Sequence, residues 1–136
     1  VSNYRKLKTQ YTSRVHLRAA LQATGVIFEE VRPGQTESTL YGYENDERSE
    51  TATFVVRRDQ IGRLSNDIGW HWDGSQFVEI VSEWDHHVSK CSEIRQTVRR
   101  EYAYAATVSQ AQAKGYRTER IDLPTGVIQI KVTGRI

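Results

Sequence analysis

At 136 residues, with 38% hydrophobic and 26% charged residues, the chain has the composition of a single globular domain, residues 1–136, rather than of a disordered segment. Its apolar runs reach only four or five residues, too short for a helix that crosses a membrane, and its one cysteine excludes an intrachain disulfide. The net charge of +2 hides an uneven distribution: residues 1–28 carry five basic side chains and no acid, residues 29–50 carry seven acids against Arg32 and Arg48, and residues 90–136 carry nine basic side chains and four acids.

In chain order, the first 12 residues lack the apolar stretch of a secretory signal. Methionine is absent, position 1 included, as expected of a chain that has lost its initiator or been trimmed from a precursor. The stretch "SRVHLRAALQATG" predicts a helix: Ser13 is placed as N-cap, Val15, Leu17, Ala20, Leu21 and Thr24 form a stripe, and Gly25 suits a left-handed C-cap. "VIFEEV" predicts a short strand that ends at the turn Arg32-Pro33-Gly34. "STLYGYEN" and "ETATFVVRR" are rich in β-branched and aromatic residues and predict two strands, with the acidic "ENDERSE" as their loop.

In "NDIGWHW" the residues Ile68, Trp70 and Trp72 share one side of a strand. Asp73-Gly74 marks a hairpin, and "SQFVEIVS" returns. A two-residue turn there pairs Trp70 with Phe77 but leaves Val78 and Ile80 on the opposite side. Either both faces of the hairpin are covered or the loop is longer. A long helix over residues 91–114 follows, with Cys91, Ile94, Val98, Tyr102, Ala105 and Ser109 as its stripe, Tyr104 and Val108 widening it, and Gly115 closing it. "YRTERIDLP" and "VIQIKVTGRI" form a last hairpin around Pro124-Thr125-Gly126. This order favours an α+β fold: a mostly antiparallel β-sheet with an N-terminal helix and a long C-terminal helix packed on one face, ending in a β-hairpin.

The densest chemistry lies in "SEWDHHVSKCSE", residues 82–93, with Glu83, Asp85, His86, His87 and Cys91. Spacing argues against one metal ion. Adjacent histidines diverge on either a helix or a strand, and helical positions eight apart are about 12 Å apart along the axis, while zinc ligands sit at about 2 Å. Cys91 opens a helix, which favours a thiolate, yet it lies on the apolar stripe, where packing is the simpler role. No catalytic residue, metal or cofactor is therefore assigned. The stretch reads as a strand end with Trp84 as an aromatic anchor, rolling into the long helix. Basic residues off the helical stripe (Arg95, Arg99, Arg100), the N-terminal set Tyr4, Arg5, Lys6, Lys8 and Tyr11, and Trp84 are the candidate partner-binding residues. Cations interleaved with tyrosines also allow nucleic-acid binding, the weaker alternative, since no known nucleic-acid motif accompanies them.

Three segments, "YRKLKTQYTSRVHLRAALQATGV", "DIGWHWDGSQFVEIVSEW" and "RREYAYAATVSQAQAKGY", stand in an order and spacing that resembles a small cyanobacterial and plastid family. It is known as hypothetical chloroplast open reading frame thirty-five, a domain of unknown function. The resemblance covers nearly the whole chain, and "LKTQ", "DIGW" and "YAY…GY" are its most specific pieces. His86-His87 and "ENDERSE" lie outside the pattern. The resemblance implies a plastid protein on the stromal side of the thylakoid, or on the cytoplasmic side in a cyanobacterium. An imported, trimmed copy would also lack its methionine. The family has no established catalytic residues to carry over. The expectation is a non-enzymatic peripheral subunit, or an assembly or stability factor, of a photosynthetic complex, photosystem I first. Its partners would be protein subunits, without pigments, nucleic acid or a membrane span of its own.

Overall fold

A computed structural model describes residues 3–135. The chain runs β1 (Tyr4–Leu7), α1 (Arg14–Ala23), β2 (Glu29–Glu30), β3 (Ser38–Tyr41), β4 (Glu47–Ala52), β5 (Phe54–Val56), β6 (Ile68–Trp72), β7 (Phe77–Ser82), α2 (Ser89–Ala113), β8 (Tyr116–Asp122) and β9 (Ile128–Arg135). Two short 3-10 turns, Arg58–Gln60 and Asp85–His87, interrupt the connections. The main sheet has five antiparallel strands in the order β1-β7-β6-β5-β2, and β3–β4 and β8–β9 form separate two-stranded ribbons. The α+β arrangement predicted from the element order is thus the observed one.

Strand alternation divides the core in two. Phe54, Val56, Ile68, Trp70, Phe77 and Val81 point to one face, where they pack with Leu17, Ala20 and Leu21 of α1 and Cys91, Ile94, Val98 and Tyr102 of α2. Val55 and Ile80 point to the other face, where Leu40 and Ala52 of the β3–β4 ribbon cover them with Tyr4. Both faces are therefore buried, which accounts for Val78 and Ile80. The hairpin loop is also longer than two residues: the register pairs Trp72 with Phe77, and Asp73 Oδ1 accepts the N–H groups of Ser75 (2.8 Å) and Gln76 (2.9 Å) to close a four-residue turn. Gly69 faces the ribbon so closely that a Cβ there would sit 2.6 Å from Ala52 Cβ, and this approach requires glycine.

Both helix ends follow the expected chemistry. Ser13 Oγ accepts the His16 N–H at 3.1 Å, and Gly25 and Gly115 take φ of +76° and +82° after α1 and α2. Four expectations are corrected. Val15 is 62% exposed, because it lies about 200° around the helix from the buried Leu17. Ser109 is exposed although it continues the line of Tyr102: beyond Tyr102, Ala106 still packs against the main core, while α2 also meets the β8–β9 ribbon. "VIFEEV" contributes only Glu29–Glu30 to a strand. The acidic "ENDERSE" is not all loop: the turn ends at Asp46, with Asn45 at φ 61°, and Glu47 to Glu50 belong to β4. A charged strand is tolerated there because one side is open to solvent and the other lays Arg48 over the Tyr4 ring, 5.0 Å from its centre.

Candidate functional site

The site is built around the extended segment 7–11, which continues β1 along the helix face of the sheet. Thr9 fixes it: its N–H donates to Gln76 Oε1 at 3.1 Å, its hydroxyl donates to the Phe77 carbonyl, and its Oγ1 accepts the Tyr11 N–H at 2.9 Å. The Phe77 N–H closes the loop on the Tyr11 carbonyl at 2.8 Å. Tyr11 then packs on Tyr102 of α2, ring centres 4.5 Å apart, and the Tyr102 hydroxyl accepts the N–H groups of Thr12 and Ser13 at 2.9 Å each. These contacts give "LKTQY" a structural meaning. They hold the segment beside α2 and leave between them a groove of about 660 Å³, lined by residues 7–11, Glu79, Arg95, Arg99, Tyr102, Ala103, Ala106 and Thr107.

The groove floor carries a buried ion pair. Glu79 of β7 is 4% exposed and faces the helices beside Trp70. Arg95 Nε donates to its Oε1 at 2.6 Å and Trp70 Nε1 donates to its Oε2 at 3.2 Å, so both carboxylate oxygens are engaged. Removing one member of such a pair costs about 3–5 kcal/mol, because the other charge stays buried. Burial pushes the Tyr11 hydroxyl up to about 12, with the nearby Glu79 carboxylate adding to the rise and the Arg99 guanidinium opposing it. Among the described residues, Arg5, Lys6, Lys8 and Arg99 form no ion pair with any carboxylate.

The structure brings most of the predicted partner-binding residues to this edge, with distinct roles. Arg5 lies on the helix face and Lys6 on the ribbon face of β1, by alternation with Leu7 and Tyr4. Lys8 and Arg99 line the groove, and Trp84 stands 53% exposed beyond the end of β7. Arg100 is exposed but turns to a second cleft between α2 and β9, formed with Ala103, Tyr104, Thr107, Val127, Ile128 and Ile130. Two residues are corrected. Tyr11 is 7% exposed and serves the core, because its ring is needed to seat segment 7–11 on Tyr102. Arg95 is mostly buried and committed to Glu79. Tyr4 is only half-buried, yet its hydroxyl is spent on the Asp67 carbonyl at 2.7 Å.

The stretch 82–93 resolves into separate environments. Asp85 is fully buried: its Oδ2 accepts from Ser82 Oγ (2.7 Å), the Asn66 N–H (2.8 Å) and Asn66 Nδ2 (3.0 Å). Cys91 is buried, and burial, followed by the Asp85 charge, pushes its thiol up to about 12, so it is no thiolate at neutral pH. Partial desolvation, then the neighbouring Arg95 and Arg5 charges, hold the His86 imidazole below its ordinary value, so it is neutral at pH 7. No group of three or more His, Cys, Asp or Glu among the described residues is placed to hold one metal ion.

Sequence reasoning missed the polar hubs. Asp67, 1% exposed, accepts the N–H groups of Arg58 and Tyr41 and the Arg57 Nη1, each at 2.8 Å, and so ties the ribbon to the sheet. Asn66 links the same loop to Asp85 and Ser82 and accepts the Tyr43 N–H at 3.0 Å. The available signal was "SND" immediately before an apolar strand, three polar residues where a surface turn is the default reading. Glu37 is a further hub: it accepts from Thr51, Thr53 and His71, and these bonds outweigh its burial and hold its carboxyl below the ordinary range.

"DIGW" can now be read residue by residue: Asp67 as hub, Ile68 as core, Gly69 as the close approach to the ribbon, and Trp70 as core and donor to Glu79. No helix among the described residues is long and apolar enough to cross a membrane. Comparison with curated proteins and with solved structures finds no match. Over residues 20–129, which hold all of α2 and four of the five strands of the main sheet, the chain matches the family described as "Protein of unknown function (DUF1257)", and it belongs to that family.

Proposed function

We propose that this protein is a non-enzymatic docking subunit, a peripheral subunit or an assembly or stability factor of a photosynthetic membrane complex, with photosystem I the first choice. It would bind on the stromal side of the thylakoid, or on the cytoplasmic side in a cyanobacterium. The observation that carries the reading is the edge formed by β1 and α2, where Arg5, Lys6, Lys8 and Arg99 pair with no carboxylate among the described residues, and where Lys8 and Arg99 line a groove. Such an edge attracts an acidic surface and sets orientation and association rate through charge. Exposed Trp84 supplies the apolar anchor that charge alone lacks. The resemblance noted from "LKTQ", "DIGW" and "YAY…GY" supports the choice of partner.

Binding suits this surface better than catalysis because its titratable groups are already committed. Glu79 is held by Arg95 and Trp70, and the Tyr11 and Cys91 protons are retained at neutral pH. Nucleic acid is disfavoured by the same geometry: Tyr11 packs on Tyr102 and Tyr4 lies under Arg48, so neither offers a free ring face for a base. The test is retention of the tagged chain by detergent-solubilised thylakoids. Photosystem subunits should co-purify at low salt and dissociate as salt is raised. A chain that remains in the soluble fraction at low salt, yet shifts RNA in a salt-dependent way, would replace this reading with the nucleic-acid one.

A further inference from the structure

We infer that the groove between segment 7–11 and α2 receives an extended acidic segment of the protein partner, one that carries apolar residues next to its acids. This rests on the docking reading above and adds what the edge recognises. The groove follows one face of α2 from Arg95 to Thr107, about 18 Å at 1.5 Å per residue. An extended chain covers that length with five to six residues, at about 3.3 Å each. Its two walls are a helix and a segment pinned by Thr9 and Tyr11, so the shape exists before any partner binds.

The two ends differ in chemistry. At one end Lys8, Arg95 and Arg99 face a single carboxylate, Glu79, which Arg95 already neutralises. At the other end Ala103, Ala106 and Thr107 present small, largely apolar side chains on consecutive turns of α2. Between them the rings of Tyr11 and Tyr102 and the side chain of Leu7 close the floor. An acid placed at Lys8 and Arg99 meets two cations that pair with no carboxylate among the described residues, above a floor whose carboxylate, Glu79, is already neutralised by Arg95, and charge-assisted hydrogen bonds to them are the stronger kind. The residues beside that acid then lie against Ala103 and Ala106, which leave room for a leucine-sized side chain. The two tyrosines, tilted against each other and buried, leave no ring face for a nucleotide base, which favours a peptide over a nucleic acid.

The experiment is a titration of the isotope-labelled chain, followed by amide NMR, with Ac-Glu-Glu-Leu-Leu-NH2, its reversed order Ac-Leu-Leu-Glu-Glu-NH2, and the uncharged control Ac-Gln-Gln-Leu-Leu-NH2. At least one acidic peptide should shift amides in both residues 8–11 and residues 103–107, and the control should bind about tenfold more weakly, as expected for loss of a charge-assisted pair. Ala103→Trp, at an exposed helix position, fills the groove and should abolish these shifts while leaving the rest of the spectrum folded. Shifts at Arg5, Lys6, Lys8 and Arg99 that never reach residues 103–107, or no shifts at all, would overturn the inference. Thylakoid retention separates the two claims. If Ala103→Trp is retained like the unaltered chain while Arg99→Glu is not, docking rests on the charged end alone and no peptide segment fills the groove. If the peptides bind in the groove but the chain is not retained, the groove stands and the photosystem is the wrong partner.

Discussion

The two flanks of the main sheet handle charge in opposite ways. On the ribbon flank, several charged groups are consumed within the chain, Lys6 aside: Arg57 bridges Glu29 and Asp67, Glu37 holds His71 and two threonines, and Arg48 lies over Tyr4. On the edge between β1 and α2, one internal pair, Glu79 with Arg95, sits on the floor while Lys8 and Arg99 line the walls above it and Arg5 stands nearby on the same face, none of the three paired with a carboxylate among the described residues. Charge spent on tertiary structure and charge left for a partner therefore coexist a few residues apart. Arg95 and Arg99, one helical turn apart, fall on different sides of that division.

This division can be broken by substitution, and the largest effect belongs to the ribbon flank. Asp67→Ala leaves the buried Tyr41 and Arg58 N–H groups without their acceptor and removes one of the two carboxylates held by Arg57, and should lower stability by about 4 kcal/mol, read as the midpoint of urea unfolding, with no change in partner binding at temperatures where the variant is folded. Arg95→Ala should cost about 3 kcal/mol by leaving Glu79 buried and unpaired, whereas Arg99→Ala should change stability by less than about 0.5 kcal/mol. Equal losses for the two arginines would erase the distinction between structural and available charge.

Acid sharpens the comparison. Glu30, hydrogen-bonded first by Arg18 and then by Arg14, has its carboxyl lowered to about 2 from an ordinary value of 4.5. A folded-state value below the unfolded one stabilises fully above about pH 4.5 and is lost as pH falls toward 2. Arg18→Gln should flatten the pH dependence of unfolding in that window and leave it unchanged above it. A smaller, qualitative effect concerns Cys91: with its thiol pushed up to about 12 by burial, iodoacetamide at pH 8 should label it only at the rate of unfolding. Rapid labelling of the folded chain would show that the α2 seam opens locally.

Periodicity and caps made the two helices legible, because Ser13, Gly25 and Gly115 act through local backbone geometry. Three features were not legible. β1, "YRKL", carries its strand character only through pairing with β7, a contact remote in sequence. Tyr11 and Arg95 looked available because exposure is a tertiary property, set here by Tyr102 and Glu79. The buried "SND" hubs read as a turn because polar residues before a strand are ordinarily solvated, and only the ribbon laid across the sheet takes them out of water. For the candidate site, the sequence carried the residue types and the charge asymmetry, while the groove arose from how Thr9 and Tyr11 seat segment 7–11 beside α2.

Docking through the cations of the β1–α2 edge, which pair with no carboxylate among the described residues, is open to a direct test. The measurement is retention on solubilised photosynthetic membranes against salt, for the unaltered chain and for Arg99→Glu. Photosystem subunits should stay bound to the unaltered chain at low salt and leave as ionic strength rises, and Arg99→Glu should show at least about tenfold weaker retention with a shallower salt dependence. Retention that is insensitive to salt and identical for Arg99→Glu would contradict it.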